Sequence, residues 1–217
     1  VFNREPLSQG SADDLNTAAR IRDAAIEVFG EQGFQVGVRA IAKAAEVSPG
    51  LVNHHFGSKD GLRAACDERV LQLIRDEKLK AMNELNRTKG LLSSMAEVEV
   101  YGPMVAYLLR ALQAGGPAAI SFFDHLVDDS LSYIRMGLDA GTIRPSRDEY
   151  ARARYLTMIN VGAMLLWMQL HCPNGEKIDF RKAIRDVTDD LTMPAVELYT
   201  QGMFTDSTLF DALTKEE

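Results

Sequence analysis

The sequence predicts an all-α protein, with a small three-helix head followed by a larger helical body. Three observations carry this. Apolar residues recur at spacings of three and four along most of the chain, the period of a helix with one buried face. No stretch alternates apolar and polar residues as a half-buried strand does. The seven prolines and sixteen glycines fall mostly between the apolar-periodic segments, as punctuation. With 217 residues the chain can form one or two domains and bury a sizeable core. Its 46% hydrophobic and 25% charged content is that of an ordinary globular protein.

Residues 1–16 carry Ser, Gln, Asp and Pro without an apolar period, and a disordered arm is expected there. Thr17–Gln32 reads as the first helix, with Ile21, Ala24, Ala25, Val28 and Phe29 on one face and Gly33 as its left-handed stop. Val38, Ile41, Ala42 and Ala45 give a second, short amphipathic helix, and Val47 sits in the connection. Ser48 suits an N-cap and Pro49 the first helical position, so a third helix runs from Pro49 to about Phe56. Two helices this short need the first to cover their apolar face. A short helix, a tight turn and a second short helix in a three-helix cluster is the arrangement that sets its second helix in the major groove of DNA.

Ser58 to about Leu85 reads as a long helix, roughly 40 Å at 1.5 Å per residue. Leu91–Gly116 reads as one or two helices, interrupted at Gly102-Pro103. Pro117 opens a helix to about Ala140, and another spans Arg147–Cys172. Within it, Tyr155–His171 holds no Asp, Glu, Lys or Arg. That run falls short of the ~20 residues that cross a bilayer, and Asn160 and Gln169 interrupt it. Burial on two sides, by its own domain and by a second subunit, explains it better. Asp179 or Phe180 to about Gly202 is the last long helix, with Pro194 expected to kink it or remove one backbone bond. The domains expected are therefore an arm (1–16), a head (17–62), a body (63–204) and a polar tail (205–217).

The net charge of −7 argues against a protein that coats nucleic acid with bulk positive charge. The head differs: Val36–Arg63 holds Arg39, Lys43, Lys59 and Arg63 against Glu46 and Asp60. A mildly basic end on an acidic body suits a small DNA footprint with steep salt dependence. The two cysteines, Cys66 and Cys172, stand 106 positions apart without a CxxC pair, so a reduced, cytoplasmic protein is expected. His54 and His55 are adjacent and point about 100° apart on a helix, so they cannot share a metal. No HExxH, GxSxG or P-loop pattern occurs. Neither an enzyme nor a cofactor is expected.

The head also resembles a known family. The pattern G-F-x(6)-I-A-x-x-A-x-V-S-x-G-x(4)-H-F-x-S-K spans 27 positions from Gly33 to Lys59, and it is similar to the DNA-binding domain of TetR-type transcriptional regulators. The resemblance covers roughly residues 17–65. It implies a homodimer that binds a palindromic DNA operator and represses transcription until a small, hydrophobic effector releases it. The controlled gene would be an efflux transporter or a lipid or catabolic gene.

DNA contacts implied by position are Ser48, Pro49, Gly50, Leu51, Asn53 and His54, with Thr17, Arg20, Arg39 and Lys59 on phosphate. The family's usual turn glycine is Glu46 here, its usual phosphate-binding tyrosine is Asn53, and Gly37-Val38 replaces its usual threonine. Met82, Met104, Tyr107, Phe122, Phe123, Asn160, Met164 and Trp167 are candidates to line an effector pocket. Asp124, Asp128 and Asp129 lie near in sequence and would suit a hydrophobic cation. Met158, Leu165, Met168, Leu191, Ala195 and Leu198 are candidates for a four-helix dimer interface. The rival expectation is a helical ligand-binding or assembly module whose head has lost DNA binding.

Overall fold

A computed structural model describes the backbone of residues 12–85, 98–171 and 178–214, and side chains from residue 13 over the same stretches except 81–85. The described residues form nine α-helices and one 3₁₀ turn: α1 Ala12–Gln32, α2 Val38–Ala44, α3 Pro49–Phe56, α4 Lys59–Leu85, the 3₁₀ turn Val98–Tyr101, α5 Gly102–Gln113, α6 Gly116–Asp139, α7 Glu149–His171, α8 Phe180–Gln201 and α9 Thr208–Thr214. The arm's first eleven residues, the stretch before Val98 and the Cys172–Gly175 break lie outside them.

Two boundaries differ from expectation. Helix α1 begins at Ala12, five residues early, because Asp13 and Asp14 occupy its first turn, where acids favour the positive end of the helix dipole. The polar tail contains α9, whose Leu209, Phe210 and Leu213 recur at helical spacing. Elsewhere the breaks fall where glycine and proline put them. Gly33, Gly115 and Gly141 have φ near +70°, and Pro103, Pro117 and Pro194 are accommodated at or inside helices.

Head and body are not separate cores. One continuous apolar cluster runs from Ile21, Phe29, Ile41 and Val52 through Leu62 and Val70 to Tyr107, Ala111, Phe122 and Leu126. Helices α1 and α5 approach closely at Gly30. A Cβ there would lie 2.9 Å from Ala106 Cβ and 3.0 Å from Tyr107 N, so only glycine fits. Tyr107 is fully buried, and its ring lies edge-on to Phe29 and Phe34 of the head, with centroids 6.3 and 5.4 Å away. Two smaller clusters hold the body: Leu109, Met168 and Ala183 join α5, α7 and α8, and Val127, Ile134 and Ala153 join α6 to α7.

Candidate nucleic-acid interface

The α2–turn–α3 unit forms as its residues dictate. Ala45 N donates to Ile41 O at 2.9 Å and Val47 N to Ala42 O at 2.9 Å, which closes α2. Between them Glu46 adopts φ +55°, a left-handed backbone that an L-residue enters at a cost of ~1–2 kcal/mol. Ser48 then caps α3, its Oγ accepting from Leu51 N at 3.2 Å, and Pro49 occupies the first turn. Gly57, at φ +71°, ends α3, and Ser58 Oγ accepts from Gly61 N at 3.0 Å to start α4. A Cβ on Gly61 would sit 2.2 Å from Phe56 O, so this glycine is required for the tight α3–α4 corner.

The unit is held from below. Val52 is buried against Ile41 and Ala42, and Leu51 and Phe56 pack at the cluster's margin. His55 points inward, its ring almost covered and Nε2 3.6 Å from Asp14 Oδ1 on the early turn of α1. On the outer side Arg39, Ser48, Pro49, Gly50, Asn53 and His54 are exposed. Lys59 is half-exposed beside them.

Two candidates on α1 also bond within the chain. Arg20 donates from Nη2 to Ala45 O at 2.9 Å, which ties α1 to the helix-turn-helix corner. Thr17 is half-buried and returns its hydroxyl to Asp13 O at 2.9 Å, a bond within its own helix. Leu51 divides its surface between the core and the outer face.

The effector candidates with described side chains fall into separate groups. Tyr107 and Phe122 belong to the shared core, with Met104 packed against it. Phe123 lies on the α6–α7 cluster under the Arg154 guanidinium, 5.1 Å from the ring centre. Met164 and Trp167 join the α5–α7–α8 cluster; Trp167 Nε1 donates to Asp190 at 2.8 Å and its ring stacks on His171. Asn160 is exposed and donates to Leu156 O. The Met82 side chain lies outside the described residues. Two of the three acids are also committed: Asp129 is buried and receives both Nε and Nη2 of Arg75, at 2.9 and 3.3 Å, while Asp124 pairs with Arg154 at 3.4 Å.

An open cleft of about 490 Å³ instead lies between α4 and α6, with Asp67, Gln72, Arg75, Ser121, Phe122 and His125 on its walls. Only Phe122 among the candidates reaches it. Asp67 is the residue the sequence did not single out. It accepts from Tyr107 Oη at 2.6 Å, and burial raises its carboxyl above the ordinary range. One carboxylate thus faces the cleft and holds the aromatic residue at the head–body junction. Arg63 on the same helix covers the Phe34 ring at 3.9 Å. Cys66 beside it is buried, its thiol pushed up to about 12 by desolvation, and is inert at neutral pH.

The interface candidates divide by side. Met168 is buried in its own chain's cluster and Leu165 packs against it, because positions 165 and 168 share the inner stripe of α7. Neither is available to a partner through that face. Met158, Leu191 and Leu198 are exposed, and Ala195 is half-exposed. Other large apolar side chains are exposed on the same two helices: Tyr155, Ile159, Leu166 and Leu170 on α7, and Met193, Val196 and Tyr199 on α8. No described helix is long and apolar enough to cross a membrane, and no group of metal-binding side chains gathers among the described residues.

Comparison with known proteins agrees with this architecture at both ends. Residues 21–66 match the family model for bacterial regulatory proteins of the tetR family, and residues 99–205 match a tetracyclin repressor-like C-terminal domain. The chain is 46% identical over 203 residues, 94% of each chain, to the HTH-type transcriptional regulatory protein RaaS of Mycobacterium tuberculosis. It is 38% identical over 77 residues to the regulator BetI of Rhizobium meliloti, 35% of this chain and 38% of that one. A TetR-family regulator from Rhodococcus sp. superposes with a TM-score of 0.57 at 20% identity, over 81% of this chain and 98% of that one. With its helix-turn-helix formed, capped and exposed on one side, and an all-helical body fused to it, this chain belongs to the TetR family of DNA-binding transcriptional regulators.

Proposed function

We propose that two copies of the chain bind a palindromic operator as a homodimer, repress transcription there, and release it when a small hydrophobic effector enters the body. The observation that carries the dimer is the exposed apolar surface of α7 and α8. Ten large side chains, each about half exposed, present on the order of 800 Å², the share one partner contributes to a standard interface. A monomer seldom leaves so large a patch in water. This also explains Tyr155–His171, apolar on two sides because it faces two chains.

The outer face of α2 and α3 then supplies the operator contacts. Asn53, His54 and the start of α3 at Ser48–Leu51 face base edges, while Arg39 and Lys59 take phosphates. Two-fold pairing sets half-sites about 34–36 Å apart. Release follows from the shared core. The cleft wall at Asp67 touches Tyr107, and Tyr107 touches Phe29 and Phe34, so a ligand that moves α4 against α6 moves the head. A ligand with higher affinity for one head spacing shifts the population toward it. An efflux transporter encoded nearby is the proposed target.

The test is a mobility shift with the DNA upstream of the protein's own gene, in a salt series. A specific shift, competed by the same DNA and not by scrambled DNA, is expected, with affinity falling steeply from 50 to 200 mM salt. Folded dimer without a shift at low salt would instead support a ligand-binding or assembly module with a degenerate head.

A further inference from the structure

We propose that residues 203–214 form an arm that docks on the body of a second copy of this chain. The inference rests on the homodimer proposed above and adds a part to it. Met203, Phe204, Leu209, Phe210 and Leu213 are each more than half exposed, between 56% and 72%. Helix α9 has seven residues. A helix so short does not persist in water by itself, since nucleation is costly and isolated helices under ~12 residues are marginal. Among the described residues of its own chain these side chains stay exposed, and they need a cover.

Three observations select a second copy as that cover. The arm follows directly on the exposed Val196, Leu198 and Tyr199 of α8, so it continues the surface proposed to meet the partner. Its only charges from Met203 to Thr214 are Asp206 and Asp211. Two acids and no base disfavour DNA phosphates or an anionic membrane and suit an apolar protein face. The area is also right. Five such side chains expose on the order of 500 Å², so two reciprocal arms bury about the ~1,000 Å² that a specific interface requires.

The test compares the full chain with a Phe204→Ser/Phe210→Ser/Leu213→Ser variant and with a chain ended after Gly202, by sedimentation equilibrium over a dilution series. Both changes are expected to raise the dimer dissociation constant at least tenfold, with helical content of the remainder kept. Constants within threefold of the unaltered chain overturn the arm. A Leu198→Glu variant separates the two ideas. If it dissociates and the arm variants do not, the dimer stands and the arm falls; if the unaltered chain is monomeric throughout, the underlying reading falls as well. Carbodiimide cross-linking of a mixture of heavy- and light-isotope chains adds a direct readout. Links from Asp206 or Asp211 to the other isotope's chain are expected, and links confined to one chain overturn the proposal.

Discussion

Replacing Gly30 with alanine is the sharpest perturbation the fold offers. The new Cβ would lie 2.9 Å from Ala106 Cβ, 3.0 Å from Tyr107 N and 3.3 Å from Ala106 C. Carbon atoms rest at about 3.5–4.0 Å, so α1 and α5 must part by roughly 0.6–1 Å. Backbone bears most of that contact, so no side-chain rotation relieves it. Overpacking of this kind costs ~1–3 kcal/mol. Alanine returns up to ~1 kcal/mol through helix propensity, less here because Gly30 stands two residues from the helix end.

A net loss of about 1–2 kcal/mol is expected from urea unfolding at fixed protein concentration, which in a chain this long lowers Tm by roughly 2–8 °C. Adding Ala106→Gly removes the nearest atom and should restore part of the loss, so the double-mutant cycle should show a coupling of at least ~0.5 kcal/mol. A Gly30→Ala protein as stable as the original, or additive behaviour in the cycle, refutes the close contact.

Glu46→Gly should stabilise the protein by about 0.5–1 kcal/mol in the same assay, because relief of the left-handed strain exceeds glycine's entropic cost; no gain would mean the turn is unstrained. Tyr107→Phe removes the hydroxyl that Asp67 accepts, and its cost should depend on pH. Burial holds the Asp67 carboxyl above 3.8 when folded, so the stability favouring its protonated form is complete below that value and is lost as pH rises through the folded one. Without the tyrosine hydroxyl, which lowers that pKa, the loss deepens, so Tyr107→Phe should cost ~1–3 kcal/mol near pH 7.5 and distinctly less near pH 4. A pH-independent cost would detach Asp67 from Tyr107. Arg39→Ala should weaken operator binding and lower the salt slope by about 1, whereas Asn53→Ala should relax preference at one base pair; unchanged binding in both would move the DNA face elsewhere.

The local structure of the head was legible from the sequence because each part rests on short-range chemistry. Ser48, Pro49 and Gly33 sit where caps and stops require them, and Glu46 occupies the left-handed position that a missing glycine marked. The exposed outer side of α2 and α3 followed from the same periodicity. What the sequence hid depends on long-range packing. The bond from Arg20 to Ala45 O, 25 residues away, could not be read from the sequence, because it depends on how α1 lies across the turn. Tyr107 and Trp167 carry the composition of a binding pocket, but Tyr107 is buried where α1, α4, α5 and α6 meet and Trp167 packs at the edge of the α5–α7–α8 cluster. Asp67 stood inside an ordinary amphipathic helix, and nothing local marked it as Tyr107's acceptor. Gly30 did leave a signal: an isolated glycine inside a helical apolar pattern commonly marks a close contact.

The single cluster joining Phe29 and Val52 to Tyr107 and Phe122 bears on how such chains can be recombined. A head grafted from a relative onto this body would carry its own partner surface for α5, and a residue larger than glycine at position 30 would hold the two pieces apart. Chimeras that exchange residues 12–58 alone are therefore expected to fold poorly, and those that also exchange α5 to fold well. The head and the helix that braces it pack as one unit.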